Sequence, residues 1–168
     1  MKGGPVRQAI MTNRLQAMAK TKLLIGMDAE WGLGMQLDSV PSFPRQMTLG
    51  SANKPEQVYA MGKDIARQMK LLNVHLSFSP VVDLNTNKRN PIIGNRSFGD
   101  NSSLVTSLST AYMKGLQDHG IIANAKHFPG HGNVGKDSHI SLPTLNKSLE
   151  ELDSTCLLYT SPSPRDRT

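Results

Sequence analysis

Three short apolar runs alternate with segments of helical periodicity, and this alternation restricts the folds that the chain can adopt. The runs lie at residues 23–27, 75–83 and 121–126. Between them, apolar residues recur every three or four positions, which is typical of amphipathic helices. Strands that alternate with helices form βαβ units on a parallel sheet. The sequence therefore predicts an α/β fold, either a doubly wound sheet or part of a (β/α)8 barrel.

Capping signals predict where the helices begin and end. Pro5 suits the first position of a helix, and Ser148 opens the Ser-x-x-Glu pattern of a capping box. Gly120 suits the left-handed conformation that closes a helix. The run at 23–27 is apolar throughout and is expected to be a strand buried on both faces. The predicted helices cover residues 6–20, 53–72, 100–117 and a segment that starts at Ser148.

Polar and charged side chains follow each predicted strand. Asp28 follows the first run, Asp83 ends the second, and Lys126-His127 stand at the end of the third. The carboxyl ends of parallel strands meet at one edge of a sheet, where barrel enzymes place their sites. No GxGxxG or Walker pattern follows a strand, which disfavours a nucleotide-binding doubly wound sheet. The barrel is therefore the favoured interpretation.

The densest group of titratable residues follows the third strand. A lone histidine at such a place is most often a core residue, but several titratable groups on one loop are typical of a functional site. We interpret Asp137 and His139 as a dyad, because a carboxylate beside an imidazole orients the ring and favours its protonated form. The group comprises Lys126-His127-Phe128-Pro129-Gly130-His131-Gly132 and Asp137-Ser138-His139.

Metal binding is the rival interpretation of this loop. His127, His131, His139 and Asp137 could supply nitrogen and oxygen ligands. The loop lacks the helical pair of an HExxH site, and the glycines and proline between the ligands disfavour a preorganised cage. We therefore expect neither a metal nor an organic cofactor.

These motifs carry a family resemblance. Residues from about Lys2 to Ser154 resemble the barrel domain of family 3 glycoside hydrolases. The Lys-His-Phe-Pro-Gly-His-Gly and Asp-Ser-His motifs resemble its bacterial β-N-acetylglucosaminidase branch, since the β-glucosidase branch usually lacks the Asp-Ser-His loop. The resemblance implies a partial (β/α)8 TIM barrel, truncated at both ends, from a retaining exo-enzyme. Its partner would be a carbohydrate with terminal β-linked N-acetylglucosamine, as in peptidoglycan fragments.

The resemblance also implies a role for each matching residue. His139 would be the general acid/base with Asp137 as its partner, a departure from the two carboxylates of most glycosidases. The family has a substrate-contacting arginine eight residues after the position of Asp28, but this sequence has Gln36, which donates a hydrogen bond without charge. The implied substrate-binding residues are Asp28, Arg96, Lys126 and His127, with Gln36 in the altered position. At Gln36, either substrate binding is altered or a single base of the gene was misread.

The family's nucleophile is an aspartate on a later strand, beyond Ser154. We therefore expect no nucleophile in this chain and no hydrolysis by the chain alone, and we assign Asp83 a structural or supporting role. Two other functions stay open. One is a family 3 β-glucosidase or β-xylosidase, and the other is a non-catalytic remnant that binds glycans.

Charge and composition exclude other functions. The net charge of +6 invites a nucleic-acid partner, but the basic residues are scattered and aromatic residues make up 5% of the chain, so a solvated basic surface is the better account. No apolar stretch is long enough for a membrane segment. The lone Cys156 excludes an internal disulfide.

Both ends of the sequence look foreign to the fold. We interpret residues 1–4 as the exit of a preceding strand, with an internal Met taken as the start. Residues 156–166 match the in-frame translation of a transposon-library sequencing adapter, although a genuine Ser/Pro-rich tail is the alternative. We therefore predict a partial barrel domain over residues 1–154 and a non-native tail over residues 155–168.

Overall fold

A computed structural model describes residues 3–135, 148 and 150–152 of the chain. They form an α/β unit around a three-stranded parallel sheet in the order β1–β2–β3. Gly26 pairs with Leu76, and Leu76 pairs with Ile122. The strands are β1 (Gly26–Met27), β2 (Leu76–Ser77) and β3 (Ile122–Ala123), and the α-helices are α1 (Pro5–Met18), α2 (Gln46–Ala52), α3 (Pro55–Leu71) and α4 (Ser102–Gln117). Short 3-10 helices lie at Leu33–Met35 and Gly94–Arg96.

The predicted parallel α/β arrangement and three predicted helices are confirmed. Asn101 caps α4, with its side-chain oxygen accepting from the Leu104 N–H at 2.9 Å, and Gly120 follows that helix with φ of +78°. The capping box is also present, since Ser148 N–H donates to Glu151 Oε2 at 2.8 Å and Glu151 N–H donates to Ser148 Oγ at 3.2 Å. Helix α2 was not predicted, because its sequence has no amphipathic repeat.

Two burial predictions for the first 27 residues are wrong. The run at 23–27 is not a strand buried on both faces: β1 covers only Gly26–Met27, at an edge of the described sheet, and the preceding Leu23 and Leu24 are 40% and 66% exposed. In α1 the buried residue is Thr12. The apolar positions of this predicted amphipathic helix, namely Ile10, Leu15 and Met18, are 55%, 45% and 80% exposed. These three side chains therefore stay largely in solvent, whereas Ala9 of the same helix packs against the described core.

The core lies between the sheet and the pair α3 and α4. Gly62 and Gly115 let these helices approach until their backbones touch: a Cβ on Gly115 would overlap the Tyr59 carbonyl oxygen. Close backbone contact of this kind leaves no room for a side chain at either position. The core is lined mainly by Val58, Ile65, Met69, Leu108, Tyr112 and Leu116, all at most 1% exposed.

The buried Tyr112 of α4 connects this core to the carboxyl edge of the sheet. Its hydroxyl donates toward the carbonyl oxygens of Ala29 and Glu30, at 3.1 and 3.3 Å. Ser79 Oγ in turn donates to the Tyr112 oxygen at 3.3 Å. Burial raises the pKa of Tyr112 above its ordinary value, so the hydroxyl stays a donor. The segment that follows β1 is thereby fixed to helix α4.

Within the described residues, no helix is both long and apolar enough to cross a membrane.

Candidate functional site

Six ionisable residues meet where the three strands end. Asp28 and Glu30 follow β1, Asp83 follows β2, and Lys126 and His127 follow β3. Arg96 ends the second 3-10 helix. An additional parallel bridge between Val81 and Lys126 continues the pairing of the second and third segments beyond their regular strands. We call Asp28, Glu30, Asp83, Arg96, Lys126 and His127 the charge cluster.

Glu30 lies at the centre of the charge cluster. Its Oε1 accepts from Arg96 Nη2 at 2.7 Å and lies 2.8 Å from Lys126 Nζ. Its Oε2 accepts from Arg96 Nε at 3.0 Å. The arginine therefore binds the carboxylate through two nitrogens, in the bidentate geometry that makes such pairs strong. Lys126 Nζ also donates to Asp28 Oδ1 at 2.7 Å, which extends the ion pairs to a second carboxylate.

Opposing effects set the ionisation of Glu30. Burial acts most strongly and raises its pKa, but the hydrogen bonds and charges of Arg96 and Lys126 together outweigh it and hold the pKa below its ordinary value. The hydrogen bond to Glu30 correspondingly raises the pKa of Arg96. Glu30 is therefore a carboxylate at neutral pH, although its side chain is completely buried.

Asp83 fixes the loop that carries His127. Its Oδ2 lies 2.6 Å from His127 Nδ1 and accepts from the His127 backbone N–H at 3.1 Å, while Oδ1 accepts from the His131 backbone N–H at 2.5 Å. A carboxylate only accepts, so His127 carries its hydrogen on Nδ1. Nε2 then faces Arg96 Nη2, at 3.4 Å, as an acceptor.

Neighbouring residues hold the backbone of this site. Arg96 Nη1 donates to the Ile92 carbonyl oxygen at 3.2 Å, and the Ser97 hydroxyl donates to the Asp83 carbonyl oxygen at 2.5 Å. The buried amide of Gln46 donates to the Arg96 carbonyl oxygen and accepts from the Val81 N–H at 3.2 Å. The peptide bond between Lys126 and His127 is cis.

The charge cluster has two layers. The side chains of Glu30 and Asp83 are fully buried, whereas those of Lys126, Arg96, His127 and Asp28 are 13%, 20%, 33% and 43% exposed. The exposed layer offers a carboxylate, an ammonium, a guanidinium and an imidazole. These groups can donate to and accept from a polyhydroxylated molecule, while the buried layer holds them in place.

The structure brings four of the predicted site residues together: Asp28, Arg96, Lys126 and His127. Gln36 follows the first 3-10 helix, and no hydrogen bond or ion pair joins it to those four within residues 3–135. Asp137 and His139 lie outside the described residues. Glu30 was not predicted. Its signal was the Asp-x-Glu spacing, because residues two apart in an extended segment point to the same side.

The rival metal site draws on the same loop. No group of three or more His, Cys, Asp or Glu side chains within the described ranges is arranged to hold a metal ion. His127 and His131 lie edge to face, with ring centroids 6.0 Å apart. The other two ligands considered, Asp137 and His139, are outside those ranges.

Comparison with known proteins identifies the class to which this fold and cluster belong. The family described as the glycosyl hydrolase family 3 N terminal domain matches residues 3–160. The chain therefore belongs to glycoside hydrolase family 3, as part of its N-terminal domain.

Individual relatives agree with this assignment. The chain is 34% identical to β-hexosaminidase A of Pseudoalteromonas piscicida and 31% identical to a β-N-acetylglucosaminidase/β-glucosidase of Cellulomonas fimi; each match covers 88% of this chain and 26% of the relative. The solved structure of a family 3 β-N-acetylglucosaminidase from Paenibacillus sp. strain FPU-7 matches with a TM-score of 0.87 and 38% identity, over 92% of this chain and 30% of that one. The chain thus spans about a quarter to a third of these relatives.

Proposed function

We propose that this chain is the sugar-binding part of a retaining exo-β-N-acetylglucosaminidase that acts on terminal β-linked N-acetylglucosamine, such as that of peptidoglycan fragments. The observation that carries the proposal is the exposed layer of the charge cluster, held on buried carboxylates at the carboxyl edge of the sheet. That edge is where barrel enzymes bind substrate. The names of the matching relatives support the substrate class.

The exposed layer suits a sugar ring. Asp28 accepts from hydroxyl groups, while Lys126 and Arg96 donate to them with full charges. Charge-assisted hydrogen bonds from groups already paired to each other fix a ligand in one orientation. A terminal sugar held in this way presents its anomeric carbon in a constant position, which is what an exo-acting enzyme needs.

Two groups would carry out the chemistry. His139, oriented by Asp137, would protonate the leaving glycosidic oxygen while an aspartate that is not in this sequence attacks the anomeric carbon. His139 would then remove a proton from water, the water oxygen would bond to the anomeric carbon, and the enzyme carboxylate would leave. The configuration is retained because two displacements occur.

The architecture belongs to the same proposal. Three parallel strands with helices between them are what part of a (β/α)8 barrel contains. We propose that residues 1–154 are such a part, completed by strands outside this sequence, and that residues 155–168 are not native. Sequencing the source genome across this position tests the proposal. If the gene continues after the Ser154 codon with further family 3 sequence, the proposal is supported. If the genome itself encodes residues 156–166, the proposal is contradicted.

A β-glucosidase is the second candidate, and it is favoured by the double name of the Cellulomonas fimi relative. The two candidates differ at the sugar C2 position, where one substrate carries an acetamido group and the other a hydroxyl. Hydrolysis rates of the complete enzyme with aryl N-acetylglucosaminide and aryl glucoside, measured side by side, discriminate them.

The acid/base assignment is tested in the complete enzyme encoded by the source gene. His139→Ala should lower kcat/KM for an aryl N-acetylglucosaminide by about 100-fold or more, within the usual contribution of general acid–base catalysis. The matched control is His119→Ala, just after α4. Its ring contacts Tyr59 and the Gly115 carbonyl oxygen rather than the charge cluster, so the variant is expected to leave the rate unchanged. Normal activity of His139→Ala would refute the role.

The chain alone is expected to show no turnover, because a retaining mechanism needs its nucleophile. Calorimetric titration of the 168-residue chain with N-acetylglucosamine tests the glycan-binding alternative. Binding without hydrolysis would support a non-catalytic glycan-binding remnant. Detectable hydrolysis would contradict the proposal that the chain lacks its nucleophile.

A further inference from the structure

We infer that Glu30 is a positioning residue of the site: it holds Arg96 and Lys126 at one side of the site and keeps two cations there that would otherwise repel each other. The inference rests on the proposed sugar-binding role of Arg96 and Lys126. It adds a residue that has no contact with substrate and that sets the geometry of two residues that do.

Burial and the contacts with two cations together close the Glu30 carboxylate to a ligand. Oε1 contacts both Arg96 Nη2 and Lys126 Nζ, and Oε2 contacts Arg96 Nε. The side chain is 0% exposed, whereas the side chains of Arg96 and Lys126 are partly exposed. Glu30 therefore acts through these two cations.

Sharing one oxygen brings the cations together. Nη2 and Nζ lie 2.7 and 2.8 Å from the same Glu30 Oε1. Like charges this close in a partly buried site repel strongly unless a carboxylate lies between them. Lys126 has a second carboxylate in Asp28, but Arg96 has no other carboxylate partner among the described ion pairs. Loss of Glu30 should therefore displace Arg96 first.

The position of Glu30 is itself fixed from the core. The Tyr112 hydroxyl donates toward the Ala29 and Glu30 carbonyl oxygens. Tyr112 is 0% exposed on α4, the helix that packs against α3. Helix α4 thus fixes the backbone position of Glu30, and the Glu30 carboxylate fixes the positions of Arg96 and Lys126. In the proposed function these two cations contact the sugar. Removing the supporting partners of metal ligands lowers affinity or activity by about 10- to 100-fold, and we expect a loss of that order for Glu30.

The test uses the complete enzyme and aryl glycosides of both N-acetylglucosamine and glucose, with kinetics measured on whichever substrate the wild type hydrolyses. Glu30→Gln keeps the size and removes the charge, and it should lower kcat/KM on the order of 100-fold, mainly through KM. Glu30→Asp keeps the charge but shortens the reach, and it should fold and lose about 10-fold. Glu56→Gln, at the exposed first turn of α3, is the matched control and should leave kcat/KM unchanged.

A double-mutant cycle separates positioning from general stability. If Glu30 acts through Arg96, the double variant Glu30→Gln/Arg96→Gln should lose less kcat/KM than the product of the fold-losses of the two single variants. The inference would be overturned if the double variant lost kcat/KM by the full product of the two single losses. It would also be overturned if Glu30→Asp folded and kept the wild-type KM. Neither result would affect the proposed function. A wild-type enzyme that hydrolyses neither substrate would overturn both.

Discussion

Replacing Asp83 with Asn tests how far the site depends on one buried carboxylate. The change keeps the size of the side chain but turns one acceptor oxygen into a donor. In the native structure both oxygens accept: one from His127 Nδ1 and its backbone N–H, and the other from the His131 N–H. If the amide oxygen stays on His127, the new NH2 group faces the His131 N–H, and two donors oppose each other in a buried place.

The magnitude follows from this exchange. One charge-assisted hydrogen bond is lost, about 1.5–3 kcal/mol, and one buried donor is left unsatisfied, about 1–3 kcal/mol. We expect Asp83→Asn to lower the free energy of unfolding by about 3 kcal/mol, which for a chain of this size lowers Tm by roughly 6–12 °C. Because Asp83 also orients His127, the same variant of the complete enzyme should show a raised KM.

Urea unfolding of the chain gives the measurement, followed by the fluorescence of Trp31, the single tryptophan. The matched control is Asp64→Asn. Asp64 is an exposed residue of α3 that lies 3.9 Å from Arg67, and such surface pairs contribute at most about 1 kcal/mol. Equal, small losses for Asp83→Asn and Asp64→Asn would refute the reasoning, because Asp83 would then behave like a surface carboxylate.

Two further predictions concern the helix pair and the response to pH. Gly115→Ala should lower the free energy of unfolding by about 1–3 kcal/mol, since its Cβ would overlap the Tyr59 carbonyl oxygen; Gly4→Ala, with no atom within 4 Å of the added Cβ, should change little in the same thermal melt. The folded-state pKa of Glu30 lies below its ordinary value of 4.5, so its contribution to stability is present above pH 4.5 and is lost as the pH falls through the folded pKa. The stability difference between wild type and Glu30→Gln should therefore shrink in melts below pH 4.5, and a difference that stays constant from pH 7 to pH 3 would contradict the depressed pKa.

Helix starts were predicted correctly from the sequence, because they depend only on residues that are close along the chain. Pro5 and Ser148 mark helix starts because the capping interactions are formed within one turn. Burial was predicted less well. Leu24 belongs to an apolar run typical of a buried strand, but it precedes β1, an edge strand among the described residues, and is 66% exposed. Whether a strand has a neighbour on each side is a property of the sheet, and a run of five apolar residues does not contain that information.

The sequence likewise predicted some residues of the site but not the partners that hold them. Asp28, Lys126 and His127 were predicted because they stand where strands end, and Arg96 from its family motif. The partners of these residues could not be read from spacing, since Glu30 meets Arg96 across 66 positions and Asp83 meets His127 across 44. The Asp-x-Glu spacing placed Glu30 on the same side as Asp28, but which cations meet its carboxylate is known only from the fold.

The order of these residues in the chain has a consequence for folding. The ion pair between Lys126 and Asp28 joins residues 98 positions apart, whereas the turns and helix caps join residues three to five apart. Closing long loops is slow compared with local contacts, so local structure has time to form first. During synthesis the Glu30 carboxylate is made before Arg96 and Lys126, the two cations with which it pairs. Lys126 is the later of the two, because it follows the third strand in the sequence. The charge cluster is thus completed only when β1, β2 and β3 have paired, so sugar binding would require that these three strands are already in place.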